Sequence, residues 1–119
     1  MSNTLQALQM ASIKPVYAVI DLADQDASRE GKIRVRVNLT KAMRREMQAA
    51  QDNQDDNEAG LRLLAQLIPR DDTSDTPLTY DELKQFIEGG DDEDELFVNW
   101  FVNAAFAKVR EHFLAKAAR

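Results

Sequence analysis

Residues Asp94–Ala117 read D-E-L-F-V-N-W-F-V-N-A-A-F-A-K-V-R-E-H-F-L-A-K-A and predict a long helix. At about 1.5 Å per residue this helix would span about 36 Å. It holds the single tryptophan of the chain and four of its five phenylalanines. One stripe of the helical wheel carries Val98, Phe101, Val102, Ala105, Phe106, Val109 and Phe113. A helix that packs on a single core needs little more than such a stripe.

A second apolar face runs along the same predicted helix and leaves only a narrow polar side with Asn99, Asn103 and Arg110. A chain of 119 residues can build one modest core, which would hardly cover both faces. We therefore expect one face to form the core and part of the other to contact a second chain, giving a homo-oligomer. The wheel leaves open which face does which. The predicted protein-binding residues are Leu96, Phe97, Trp100, Phe101, Ala104 and Phe106.

Composition predicts one folded domain over residues 1–119, since 44% of the residues are hydrophobic and 30% are charged. The chain has no cysteine, which excludes disulfides, thiol catalysis and cysteine metal sites. No stretch approaches the roughly 20 apolar residues that a membrane-spanning helix needs, and the first residues do not read as a signal peptide. We therefore expect a cytoplasmic protein without a membrane partner.

The charges are separated along the chain, whose formal net charge is −6. Residues 29–45 carry seven basic side chains and one acid, whereas residues 71–95 carry eleven acids and one base. Such separation favours pairing with a complementary surface on the same molecule or on a neighbour. The alternative is two solvated faces of opposite sign. A generally acidic chain is a poor candidate for non-specific nucleic-acid binding.

Two β-rich segments predict an antiparallel hairpin over residues 14–40. The first is V-Y-A-V-I-D-L-A (16–23); the second, K-I-R-V-R-V-N-L-T (32–40), alternates strictly between apolar and polar residues. A two-stranded hairpin is marginal by itself, so it must pack on helices or extend a partner's sheet. Residues 1–13 predict a fraying N-terminal helix with Leu5, Leu8 and Met10 or Ala11 turned inward.

Helical patterns fill residues 41–117 and predict an α+β fold, with the hairpin packed on about four helices. Thr79 and Glu82 match a capping box, and Leu83, Phe86 and Ile87 predict the buried side of the helix that follows. A helix from Lys41 to about Asp52 and another over Glu58–Ile68 precede it. The glycine pair at 89 and 90 predicts a left-handed helix end.

No pattern predicts catalysis or a cofactor. Acidic and hydroxyl residues from Asp71 to Glu82 fall at calcium-loop spacings, but Thr76 stands where such a loop needs glycine, and Pro77 follows it. The only histidine, His112, has no orienting carboxylate beyond its neighbour Glu111. We therefore expect no metal, no cofactor and no enzyme.

The order of segments resembles the tail assembly chaperones of long-tailed, siphovirus-type bacteriophages. The resemblance covers residues 16–117: the alternating strand leads into K-A-M-R-R-E-M-Q-A-A (41–50), and L-R-L-L-A-Q-L-I (61–68) and L-T-Y-D-E-L (78–83) precede the aromatic helix. It implies a non-catalytic protein of the infected host's cytoplasm that binds the helical tape measure protein, keeps it soluble and helps recruit tail tube subunits. It also implies absence from the mature virion.

Two other functions stay open at this point. The chain could be a structural or adaptor subunit of a phage tail, such as a tail completion component. It could also be a small regulatory nucleic-acid binder, whose basic residues would be Lys32, Arg34, Arg36, Arg44 and Arg45.

Overall fold

The structure is a computed structural model that describes residues 3–11, 14–52 and 57–118. It has the predicted α+β architecture, with an N-terminal hairpin, several helices and a long C-terminal helix. The helices are α1 (Thr4–Ala11), α2 (Lys41–Asp52), α3 (Asn57–Leu67), α4 (Tyr80–Gly89) and α5 (Asp92–Ala117). The strands are β1 (Tyr17–Asp21) and β2 (Lys32–Arg36), with a short 3₁₀ turn at Leu22–Asp24. The prediction of the fold class is confirmed.

The hairpin is antiparallel, and the strict alternation of β2 gives it one apolar face. Ala18 pairs with Val35 and Ile20 with Ile33 on the side that faces the helices. Both strands end earlier than predicted, at Asp21 and Arg36. One more backbone bond follows β2, from the Val37 N–H to the Val16 carbonyl at 2.8 Å. Beyond it the Asn38 side chain takes over, because its Oδ1 accepts the Val16 N–H at 2.7 Å and its Nδ2 donates to the Lys14 carbonyl at 2.9 Å.

The core lies between the inner face of the hairpin, α3 and the N-terminal two thirds of α5. The largest side chains that are fully buried are Leu63, Leu64, Leu67 and Val35. From α5 the buried residues are Phe97, Val98, Phe101, Ala105, Phe106 and Val109. The stripe that sequence analysis singled out therefore forms most of the α5 contribution to the core.

The joint between α4 and α5 is short and closely fitted. Asp91 caps α5: its side chain accepts the Asp94 N–H at 3.0 Å, and Asp94 accepts the Asp91 N–H at 3.3 Å. The predicted left-handed helix end is wrong, because Gly90 is extended with φ −96° and leads directly into this cap. Glycine is needed there for a different reason: a Cβ on Gly90 would lie 2.5 Å from Asp94 Oδ2.

The N-terminal helix α1 presents apolar side chains to solvent. Leu5 is 60% exposed and Leu8 is 61% exposed, so their predicted inward packing is wrong within the protomer. The side chains of the other two predicted positions, Met10 and Ala11, lie outside the described residues.

Candidate protein-binding surface

The six predicted protein-binding residues divide between the core and the surface of α5. Phe97, Phe101 and Phe106 are buried within the protomer, at 8%, 3% and 7% exposure. Trp100 and Ala104 are partly buried and pack against the core, whereas Leu96 is 65% exposed. The surface that this set offers to a partner is therefore centred on Leu96, with Trp100 and Ala104 beside it on the same side of the helix.

The rings of Phe97, Trp100 and Phe101 form an aromatic cluster on α5. A cation from the hairpin loop covers part of it. The Arg29 guanidinium lies 4.4 Å from the centre of the Phe97 ring and pairs with Asp94 at 3.5 Å. Trp100 stacks on Phe97, with the two ring centres 6.2 Å apart. A helical wheel could not anticipate this cover, because Arg29 is distant in sequence and belongs to a polar loop.

A groove that we call the α4 groove opens where β2, α3, α4 and α5 meet. Its volume is about 350 Å³. The lining residues are almost all apolar: Ile33, Leu64, Ile68, Leu78, Leu83, Phe86, Phe97, Val98 and Phe101, with Glu82 as the charged one. It is thus an apolar concavity of the size at which ligand and peptide sites begin.

Phe86 marks the solvent side of the α4 groove. The sequence pattern predicts Leu83, Phe86 and Ile87 together on the buried side of α4, and the structure buries Leu83 and partly buries Ile87. Phe86 is 48% exposed, so its predicted burial is wrong. The three positions share one face of α4, so the helix itself does not separate them. Phe86 lies at the edge of that face, which α3 and α5 leave in solvent.

The capping box of α4 supplies the polar rim of the groove and confirms the sequence prediction. Thr79 Oγ1 accepts the Glu82 N–H, and Glu82 Oε1 accepts the Thr79 N–H, both at 3.2 Å. Arg70 donates to both carboxylate oxygens of Glu82, at 2.7 Å to Oε2. The Arg70 hydrogen bonds, followed by the bond from the Thr79 hydroxyl, lower the pKa of Glu82 to about 2. The Glu82 carboxylate therefore stays ionised over the physiological pH range, as one half of an ion pair with Arg70.

This cap predicts an acid-dependent loss of stability. The pKa of Glu82 is about 2 in the folded chain, against an ordinary value of 4.5 for an unperturbed glutamate. Its carboxylate therefore stabilises the fold fully above pH 4.5, and that contribution is lost as pH falls through 2. Glu82→Gln keeps a capping side chain but removes the charge. We expect the variant to melt below the wild type at pH 7 and to converge with it near pH 2.

The measurement is the melting temperature by circular dichroism at several pH values. Glu88→Gln is the matched control. Glu88 lies on the same helix, and its ion pair is a long one, at 3.9 Å from Lys84. Parallel pH profiles for wild type and Glu82→Gln would contradict the assignment.

The basic face of β2 is occupied by the loop that precedes α4. Arg34 donates to the carbonyls of Asp71 at 2.9 Å and Ser74 at 3.2 Å. Tyr17 beside it donates to Asp75 Oδ1 at 3.0 Å, and burial, followed by this bond, raises the Tyr17 pKa. Arg36 donates to the Asn38 carbonyl at 2.8 Å. Arg34 and Tyr17 thus hold the 70–77 loop in place. This loop covers part of the basic face that a nucleic acid would have to contact.

The residues at calcium-loop spacings make local hydrogen bonds instead of converging. Asp71 accepts the Thr73 N–H at 2.8 Å and its hydroxyl at 2.9 Å, and these bonds lower the Asp71 pKa. Across residues 3–11, 14–52 and 57–118 no three acidic or histidine side chains group as metal ligands would.

None of the helices in that same part of the chain has the length and apolar character to cross a bilayer. Comparison of the whole chain with protein-family models, with curated protein sequences and with solved structures finds no match.

Proposed function

We propose that the chain is a non-catalytic tail assembly chaperone of a long-tailed bacteriophage, which binds an apolar helical segment of the tape measure protein in the host cytoplasm. The α4 groove is the observation that carries the proposal. It offers about 350 Å³ of apolar concavity from four elements, with Phe86 about half exposed at its mouth. An amphipathic helix binds in such a groove through apolar anchors on one of its faces.

The charges around the groove select among apolar helices. Glu82 in its wall is paired with Arg70, and Asp94 with Arg29, so the acidic charge near the groove comes from the other acids of the run 91–95. This run precedes the α5 residues Phe97 and Val98 that form its floor. A segment with lysine or arginine beside its apolar anchors complements this rim, whereas an acidic segment is repelled. The same acidic run keeps the loaded complex soluble while the partner's apolar stripe is covered.

The Leu96 surface has a second role in this proposal. Leu96 and Trp100 are four residues apart, and Ala104 follows at the same interval, so they form one apolar ridge outside the groove. We assign this ridge to contact between copies of the chain, so that several copies cover an elongated tape measure protein and help recruit tail tube subunits.

Phe86→Asp tests the groove directly. We expect it to weaken binding to tape measure fragments at least about tenfold, because a large apolar side chain contributes roughly 1.5–3 kcal/mol when fully buried. Leu5→Asp is the matched control, since it also puts an acid at an exposed apolar helix position, outside the groove. Binding is measured by calorimetry with purified proteins after co-expression has identified a soluble fragment.

Equal binding by wild type and Phe86→Asp would remove the groove from the proposal. Failure of the wild type to bind or solubilise any tape measure fragment would remove the chaperone function. The structural-subunit alternative predicts that the chain persists in finished particles, so mass spectrometry of purified virions separates it from a chaperone that leaves.

A further inference from the structure

A second groove, which we call the α2 groove, lies between α2 and the last turns of α5. Its volume is about 290 Å³. Its lining includes Arg44, Met47, Val109, Arg110, Phe113 and Leu114. It shares no lining residue with the α4 groove, and it lies toward the opposite end of α5.

The apolar part of the α2 groove reaches solvent. Phe113 is 47% exposed and Leu114 is 65% exposed, although Met47 and Val109 beneath them are buried. Arg44 crosses from α2 and lies 4.5 Å from the centre of the Phe113 ring. The groove therefore combines a buried apolar floor, an exposed apolar rim and a cation held over an aromatic ring.

Both charged residues that line the α2 groove are arginines. Within the described part of the chain, neither Arg44 nor Arg110 has an acidic oxygen within 4.0 Å. By contrast, Arg29, Arg62 and Arg70 each pair with a carboxylate. Unpaired guanidinium groups beside an exposed apolar surface are suited to a carboxylate supplied by another molecule, since their planar donors match its two oxygens.

We propose that the α2 groove binds an amphipathic segment of a different protein, in which carboxylates flank the apolar anchors. Its anchors would cover Phe113 and Leu114, and its carboxylates would pair with Arg44 and Arg110. The acidic start of α5 lies next to the α4 groove and disfavours such a segment there, so the two grooves select different segments. The chain would then hold two unlike partners at the two ends of α5, and this conclusion does not require the partner of the α4 groove to be a tape measure protein.

The test uses the full chain and a dye-labelled synthetic helical peptide with leucines on one face and glutamates flanking them. Fluorescence anisotropy should show binding at least about tenfold tighter than for the same peptide with lysines in place of the glutamates. Because the pairs are exposed, binding should weaken as salt rises from about 0.05 to 0.5 M. Equal affinity for the two peptides would overturn the proposal.

Variants locate the binding. Arg110→Glu and Leu114→Ser should each weaken binding of the acidic peptide about tenfold. The circular dichroism spectrum should not change, because both positions are exposed. Arg45→Glu is the matched control, since Arg45 is an exposed α2 residue next to Arg44 that does not line the groove. Phe86→Asp should leave this binding intact, which separates it from the proposed function.

Three outcomes would overturn the assignment. If Arg45→Glu weakens binding as much as Arg110→Glu, the peptide responds to general basic charge and not to this groove. If the wild type is an oligomer in light scattering and Leu114→Ser has a lower mass, the occupant of the groove is a second copy of the chain. If single-stranded DNA or anionic vesicles displace the peptide and bind more tightly, the arginines serve a nucleic acid or a lipid surface.

Discussion

Phe101→Ala is expected to lower the free energy of unfolding by about 3–5 kcal/mol. Phe101 is 3% exposed and lies at the centre of the aromatic cluster, with ring centres 6.0 Å from Phe97 and 6.4 Å from Trp100. Alanine would leave a cavity that neighbours on α3 and α5 cannot fill without moving. Since domains of this size are stable by only about 5–15 kcal/mol, the loss should be visible as a large shift in urea midpoint.

Phe113→Ala provides the comparison on the same helix. Phe113 is 47% exposed, and we expect its removal to cost about 1 kcal/mol. Equal losses for the two variants would mean that the C-terminal turns of α5 are as well packed as its centre, contrary to the structure.

Val35→Asp is expected to abolish cooperative unfolding at neutral pH. Val35 is 0% exposed on the inner face of the hairpin, within the apolar core, so the new carboxylate would be shielded from water. Burial raises the pKa of such a carboxyl by several units, and each unit corresponds to about 1.4 kcal/mol. The folded state would then bind a proton more readily than the unfolded state, so stability should recover as pH falls and decline as pH rises.

Val19→Asp is the control for charge and strand propensity. Val19 is 52% exposed on the outer face of β1, where it pairs in register with Arg34. We expect it to remain folded at pH 7, as judged by near-ultraviolet circular dichroism and tryptophan fluorescence. If Val35→Asp folded as well as Val19→Asp, the inner face of the hairpin would not be part of the core.

The features that sequence predicted correctly are local ones. The alternation of residues 32–39 specified which face of β2 is buried, because a one-residue shift would turn every side chain around. The capping box of Thr79 and Glu82 placed the start of α4 to the residue. Asp91 and Asp94 form a second capping box with the same spacing. Because they lie within a run of five acids, the spacing did not stand out, and the predicted start of α5 is two residues late.

Features that depend on distant contacts could not be predicted. The wheel shows which residues share a face of α5, but not how much of that face other elements cover, and Phe97 is covered by Arg29 from the hairpin loop. Phe86 has the same apolar character as Leu83, and only the arrangement of α3 and α5 around the short α4 leaves it in solvent. The two grooves are likewise products of packing, since each gathers residues that are far apart in sequence.

The hairpin has a consequence for aggregation. Because its sheet has only two strands in the described structure, each strand has one outer edge whose backbone groups lack a partner strand. Pairing β2 edges of two copies around Arg34 would place Lys32 opposite Arg36, and this like-charge repulsion disfavours it. The β1 edge has no such row of charges, and Val16 and Val19 beside it are exposed. Intermolecular strand pairing at high concentration should therefore begin at β1.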